Sequence, residues 1–152
     1  FNTPYTPAVS LFAALDAALD MLLSEGLEKV YTRYRNFAQA TRAAMKALGL
    51  KLLVPDAHAS PVVTGVWAPE GLNADDLRRT IQKEFGVLLA GGQGQLRGRI
   101  FRISHMGYID AVDLLGAIAV LEIALHKISY PVTLGAGVAA AQAALVGGEN
   151  GV

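Results

Sequence analysis

A glycine-rich loop followed by an arginine-containing strand is the part of this sequence best suited to chemistry. Residues 91–104 read GGQGQLRGRIFRIS, in which four glycines precede the apolar run Ile100–Ser104 and three arginines lie in or beside that run. A guanidinium is planar and can donate two parallel hydrogen bonds to a carboxylate or a phosphate. The stretch therefore predicts an anion-binding site, with phosphate, nucleic acid and a carboxylate as candidate ligands.

Arg102 has the clearest chemical requirement in this stretch. Phe101 and Ile103 flank it, and an unpaired charge inside such an apolar strand is costly to bury. Side chains alternate along a strand, so Arg102 and Ser104 share one face while Phe101 and Ile103 share the other. Two interpretations follow: the guanidinium faces solvent, or it binds the carboxylate of a substrate.

The glycines do not form a nucleotide-binding motif by themselves. The phosphate sites of Rossmann and P-loop proteins need a strand that leads into a helix N-terminus, whereas this loop joins two predicted strands. A hairpin whose glycines adopt positive φ explains the loop instead. Arg97 and Arg99, which lie beside this hairpin, are expected to meet water or surface acids.

Composition argues against several other kinds of site. The chain has 152 residues, with 13 acidic and 13 basic side chains and no cysteine. A zero net charge gives no field that would attract nucleic acid or an anionic membrane. Without cysteine there are no thiolate metal ligands or cysteine nucleophiles, and the histidines lack metal-ligand spacing. We therefore predict no metal site, no nucleic-acid partner, no membrane partner and a cytoplasmic location.

Helical and strand patterns follow one another in an order that indicates an α+β fold. Helical periodicity predicts four main helices, over 8–24, 27–48, 73–85 and 110–127. Short apolar or β-branched runs predict four strands, over 50–54, 61–67, 87–90 and 100–104. This order favours a small mixed or antiparallel sheet of about four strands with helices packed on one face.

The chain is expected to form one domain with a short segment on either side. Residues 1–9 contain two prolines and two threonines and are interpreted as an extended arm. Residues 10–128 form the domain, and residues 129–152 form an Ala/Gly-rich tail that adds a short helix after Gly137. The composition is 53% hydrophobic and 17% charged, so we expect excess apolar surface to meet other protein.

Three stretches, taken together, resemble the C-terminal part of class V aminotransferases of the alanine–glyoxylate and serine–glyoxylate type. They are 2–11 (NTPYTPAVSL), 25–28 (EGLE) with the R-x-R of the following helix, and 91–108, where GGxG precedes FRI and a Gly-Tyr pair. The resemblance covers nearly the whole chain and extends to cyanobacterial-style members labelled as a soluble hydrogenase subunit. It implies transfer of an amino group from serine or alanine to glyoxylate or a similar 2-oxo acid.

The resemblance also implies roles for individual residues. In these enzymes pyridoxal 5′-phosphate is attached to a lysine of a large domain at a dimer interface, and the small C-terminal domain supplies an arginine that binds the substrate α-carboxylate. Arg102 occupies the place of that arginine. Asn2 and Thr3, and after them Tyr5 and Thr6, match the segment that reaches the cofactor phosphate of the neighbouring subunit.

The large domain is absent from this sequence, which is expected to be a piece of a longer chain. The resemblance therefore implies no catalytic residue here, no bound pyridoxal phosphate and no transamination by this chain alone. The implied partners are amino acid and 2-oxo acid substrates, the large domain and a second subunit. Two alternatives stay open: a noncatalytic interaction domain in which Arg102 makes a structural ion pair, and a subunit of a redox complex.

Overall fold

The computed structural model describes residues 4–148, and the elements within them confirm the predicted α+β class. The helices are α1 (Val9–Glu25), α2 (Leu27–Ala47), α3 (Ala74–Phe85), α4 (Ala111–Lys127) and α5 (Ala136–Gly147). The strands are β1 (Val63–Trp67), β2 (Ala90–Gly91) and β3 (Ile100–Ser104). The chain divides between Arg33 and Tyr34 into two compact units.

The first unit contains α1 and the first turns of α2. No residue of α1 is buried, and the exposed large apolar side chains along it are Val9, Leu11, Phe12, Leu15, Leu19, Met21 and Leu23. Gly26, at φ +90°, separates the two helices, and Arg33 donates to both carboxylate oxygens of Glu25 at 2.7 and 2.8 Å. Hydrogen bonding to the Arg33 guanidinium lowers the pKa of Glu25 below its usual range, so an ion pair holds this bend.

The sheet of the second unit is antiparallel, with β3 between β1 and β2. Arg102, the middle residue of β3, lies opposite Gly65 on β1 and Ala90 on β2. Cross-strand neighbours share a face of the sheet. Both neighbours are small, and at Gly65 the Leu53 side chain fills the space, since a Cβ there would lie 2.9 Å from Leu53 Cδ2.

The described sheet has three strands, so the prediction of about four was too high. The run 50–54 contributes only an isolated bridge, between Leu52 and Val66. The run ends at Pro55, which has no N–H to continue a ladder. The predicted strand 87–90 is also shorter than expected, because only Ala90 and Gly91 pair with β3.

One buried apolar cluster, drawn from the sheet and from α2, α3, α4 and α5, forms the core of the second unit. Its largest fully buried side chains include Met45, Val66, Ile81, Phe101, Ile118, Leu121 and Leu125. Phe101 and Ile103 are 0% and 4% exposed, while Arg102 between them is only partly buried. The predicted alternation along β3 is therefore confirmed: two side chains anchor the strand and the third points away from the core.

Local sequence signals set the ends of α3 and α4 as predicted. Asn73 caps α3 by accepting from the backbone N–H of Asp75 at 2.8 Å, and Gly86 ends the helix in the left-handed region. Asp110 and Asp113 form a reciprocal capping box at the start of α4. These caps satisfy N–H groups that have no partner within the helix. They fix where α3 begins beside the sheet.

A buried carboxylate joins α5 to α4. Glu122 of α4 is 3% exposed and accepts hydrogen bonds from the backbone N–H groups of Gly135 at 2.6 Å and Val138 at 2.9 Å. The N–H groups at a helix start lack intrahelical partners and favour a negative charge. Glu122 thus caps α5, the short helix expected in the tail, which begins at Ala136.

Candidate anion-binding site

The guanidinium of Arg102 is held at one end. Its Nε donates a hydrogen bond to the carbonyl of Gly91 on β2 at 2.9 Å. Within residues 4–148, the two terminal nitrogens of this side chain have no hydrogen-bond or ion-pair partner. A fixed guanidinium with two adjacent unoccupied nitrogens matches the two oxygens of a carboxylate.

A polar pocket of about 540 Å³ opens beside Arg102. The N-terminal turns of α3 contribute Asp75 and Arg78, and the hairpin contributes Gly91 and Gly92. Arginine side chains of this kind suit an anionic ligand, whereas the N–H of Gly92 already bonds the carbonyl of Ile100. The pocket therefore offers room for a ligand beside the Arg102 side chain.

A second pocket, of about 370 Å³, is mainly apolar. Leu89, Ile103 and Leu114 are among its lining residues, together with Arg102 itself. The Arg102 side chain thus lines both a polar and an apolar pocket. Such an arrangement fits a small organic acid, whose carboxylate needs donors and whose carbon atoms need apolar contact.

The glycine-rich loop between β2 and β3 is a hairpin, because the two strands pair antiparallel on either side of it. Gly94 and Gly98 have φ values of +53° and +69°, which glycine adopts without strain. Gly92 is required for another reason: a Cβ there would lie 2.0 Å from the carbonyl oxygen of Leu96. The loop is therefore folded tightly over its own backbone, next to the carbonyl that holds Arg102.

The sequence did not indicate Arg78 and Asp75 as site residues. Arg78 donates from Nε to the carbonyl of Leu89 at 2.7 Å and from Nη1 to Asp75 Oδ1 at 2.7 Å. The three-residue spacing of Asp75 and Arg78 on a helix is a signal for their ion pair. The contact with Leu89 has no such signal, since it depends on how α3 packs beside the strand.

Comparison with known proteins identifies relatives of the chain. No family model matches the chain. A Synechococcus sp. (strain PCC 6716) protein named soluble hydrogenase, small subunit, is 49% identical over 95% of this chain and 38% of its own length. The serine–glyoxylate aminotransferase of Arabidopsis thaliana is 37% identical over 91% of this chain and 35% of its own length.

A solved structure agrees with these relatives. The crystal structure of pyridoxamine–pyruvate aminotransferase from Mesorhizobium loti superposes with a TM-score of 0.89 at 35% identity, covering 95% of this chain and 37% of that protein. The chain belongs to the class V aminotransferase family. It spans little more than a third of the length of the relatives it matches. The related aminotransferases depend on pyridoxal phosphate.

The arm of this chain, residues 1–9, carries the residues predicted to meet the cofactor. Tyr5 is 85% exposed and Thr6 is also exposed, whereas Asn2 and Thr3 lie outside the described residues. Hydroxyl groups donate hydrogen bonds to phosphate oxygens. The donor set of the arm therefore fits the phosphate of pyridoxal phosphate in its chemistry. The arm and Arg102 belong to different compact units of the chain.

The other arginines of the hairpin occupy distinct positions. The guanidinium of Arg99 lies over the ring of Trp67, 5.1 Å from its centroid, a contact that the sequence did not predict. Arg97 is exposed and lines the polar pocket.

Within residues 4–148, no three His, Cys, Asp or Glu side chains are grouped as metal ligands. None of the helices in that range combines the length and apolar character that a membrane span requires.

His105 directly follows β3 and contacts β1. It is fully buried, and its Nε2 lies 2.9 Å from the hydroxyl of Thr64 on β1. Burial lowers the pKa of His105 to about 4; the Pro61 backbone opposes this shift, and the Arg42 guanidinium adds to it. The imidazole is therefore neutral in the folded chain at neutral pH.

We expect acid to destabilise the chain through His105. An unfolded histidine titrates near 6.5 and the folded one near 4, so in this window the unfolded state binds more protons. The free energy of unfolding should fall by up to about 3 kcal/mol as pH drops through this window. Urea unfolding across this pH range measures the loss.

Two variants test whether His105 is the cause. In His105→Gln the dependence of the free energy of unfolding on pH should largely disappear. In His126→Gln, which changes an exposed histidine, it should persist. An unchanged slope in His105→Gln would contradict the assignment.

Proposed function

We propose that this chain is the part of a longer pyridoxal phosphate-dependent aminotransferase that binds the substrate carboxylate through Arg102. The observation that carries the proposal is the Arg102 guanidinium, which Gly91 holds through Nε, in a side chain that lines a polar pocket. The similarity to a serine–glyoxylate aminotransferase supports it. The structural likeness to a pyridoxamine–pyruvate aminotransferase supports the same reading.

Arg102 can serve both halves of an amino transfer. An amino acid donor and a 2-oxo acid acceptor share an α-carboxylate and differ at the adjacent carbon. A bidentate guanidinium contact fixes the position and the direction of that carboxylate. Arg102 therefore orients the reacting carbon of both substrates in the same way. We propose serine or alanine as donor and glyoxylate or a similar 2-oxo acid as acceptor.

The bond-breaking chemistry is assigned to the cofactor and the large domain, whereas this chain contributes contacts to the cofactor phosphate. When bound, pyridoxal phosphate supplies the electron sink that stabilises negative charge at the substrate α-carbon. Asn2, Thr3, Tyr5 and Thr6 would donate hydrogen bonds to its phosphate. The lysine that attaches the cofactor is proposed to lie in the large domain. The chain by itself is therefore expected to bind a carboxylate but to transfer no amino group.

The proposed organisation follows from the same family. Residues 1–9 are the interdomain arm, 10–128 the small domain and 129–152 the C-terminal tail of a cytoplasmic homodimer. The exposed apolar side chains of α1 support a further protein surface at this helix, because soluble proteins rarely leave such a stripe uncovered. We propose the large domain and the second subunit as the partners.

Visible absorbance of the full-length protein tests this function directly. Reconstitution with pyridoxal phosphate is expected to give the absorption band of the enzyme-bound cofactor. Serine or alanine should bleach this band, and glyoxylate should restore it, because the amino group moves onto the cofactor and then to the acceptor. A band that responds to no amino acid would contradict the proposal and favour a noncatalytic interaction domain.

A further inference from the structure

Arg78 lies between an acidic side chain and the backbone segment that holds Arg102. Its Nε bonds the Leu89 carbonyl and its Nη1 bonds Asp75 Oδ1, each at 2.7 Å. The side chains of Arg78 and Asp75 are 25% and 33% exposed. The pair is therefore largely shielded from solvent, which strengthens its interaction relative to a surface ion pair.

The Arg78–Asp75 pair also packs directly against Gly91. A Cβ on Gly91 would lie 2.5 Å from Arg78 Nη1 and 3.0 Å from Asp75 Oδ1. Gly91 supplies the carbonyl that accepts from Arg102 Nε at 2.9 Å. Arg78 thus touches Gly91 and bonds the carbonyl two residues before it, and so fixes the short segment on which the orientation of Arg102 depends.

Asp75 makes this arrangement important for ligand binding. Its carboxylate lines the same polar pocket as Arg102 and is close to Gly91. If Arg78 did not bind it, this carboxylate would be an intramolecular competitor for the terminal nitrogens of Arg102. An anion in the pocket would also meet its negative charge.

We propose that Arg78 is a positioning residue for Arg102. It holds the β2 segment that orients the Arg102 guanidinium, and it neutralises Asp75 so that Arg102 stays available to a substrate carboxylate. The proposal rests on the proposed function, in which Arg102 binds that carboxylate. Asp75 and Arg78 then act as a unit, and replacing both should be less harmful than replacing Arg78 alone.

A double-mutant cycle in the full-length aminotransferase measures this coupling. Arg78→Gln should raise KM for the amino donor about tenfold with kcat within about threefold, because carboxylate binding is shared by ground and transition states. Adding Asp75→Asn should recover at least about threefold of that KM, since coupled residues are not additive. Equal KM values for Arg78→Gln and the double variant would overturn the proposal, as would an Arg78→Gln KM within about twofold of wild type.

Two further variants control the cycle. Lys83→Gln removes a positive charge from the exposed side of the same helix and should leave KM unchanged. Arg78→Lys keeps the charge that neutralises Asp75 and should give a KM between those of wild type and Arg78→Gln. If Arg78→Gln does not fold, Arg78→Lys is compared directly with wild type, without the double variant. A KM for Arg78→Lys equal to that of wild type would then contradict a role for the Leu89 contact.

A spectroscopic measurement separates this proposal from the proposed function. The Nε–H signal of Arg102 in ¹⁵N-arginine-labelled full-length protein is assigned by its absence from Arg102→Lys, and sodium acetate serves as a bare carboxylate probe. Arg78→Gln should shift that signal and weaken acetate binding about tenfold. If the protein shows no amino transfer but these changes occur, only the proposed function is wrong. If amino transfer occurs and the signal and acetate affinity are unchanged, the role of Arg78 is wrong.

Discussion

In the full-length protein, Arg102→Ala is expected to lower kcat/KM for amino donors by about 100- to 1,000-fold. The variant removes both hydrogen bonds and the positive charge that the substrate carboxylate would meet in the pocket. Arg102→Lys should fall between wild type and Arg102→Ala, because an ammonium keeps the charge but loses the planar fork. Steady-state kinetics with serine and alanine measures both effects.

Arg99→Ala is the matched control for this prediction. Arg99 lies one residue before β3, and its guanidinium contacts Trp67, so its loss should leave kcat/KM nearly unchanged. The stability of Arg102→Ala should fall by no more than about 1 kcal/mol, the usual worth of one hydrogen bond such as that to Gly91. A large loss of stability with normal kcat/KM would show instead that Arg102 is structural, as in the interaction-domain alternative.

Gly92→Ala is expected to lower the free energy of unfolding by about 3 kcal/mol, at the upper end of the cost of overpacking. A Cβ at this position would lie 2.0 Å from the carbonyl oxygen and 2.5 Å from the carbonyl carbon of Leu96. The obstacle is backbone, so no side-chain rotation can relieve it. The hairpin would have to open, which would also move the Gly91 carbonyl away from Arg102. Urea unfolding measures the first effect and KM the second.

Gly116→Ala provides a control of opposite sign. Gly116 lies within α4, and a Cβ there would meet nothing within 4 Å. Alanine is preferred to glycine inside a helix by about 0.5–1 kcal/mol, so this variant should be slightly more stable than wild type. Equal stability of Gly92→Ala and wild type would mean that the hairpin rearranges freely, and would remove the steric reason for glycine at position 92.

The sequence alone determined the elements whose causes are local. Capping by Asn73 and Asp110, the glycine after α3 and the periodicity of α4 involve residues within one helical turn of each other. The alternation of side chains along β3 is equally local. It places Arg102 on one face of the strand and the buried residues Phe101 and Ile103 on the other face. The α+β class followed from the order of these elements, and the role assigned to Arg102 came from family resemblance, not from alternation.

Only the tertiary structure decided which elements meet. The position of β3 between β1 and β2, and the small neighbours of Arg102 across it, depend on pairing between distant segments. The run 50–54 has strand-like composition, yet it forms only one bridge to β1, flanked by two backbone hydrogen bonds, because Pro55 cannot donate to continue the pairing. The contacts of Arg78 with Leu89 and Gly91 exist because α3 packs beside that segment, a packing that no periodicity within α3 encodes.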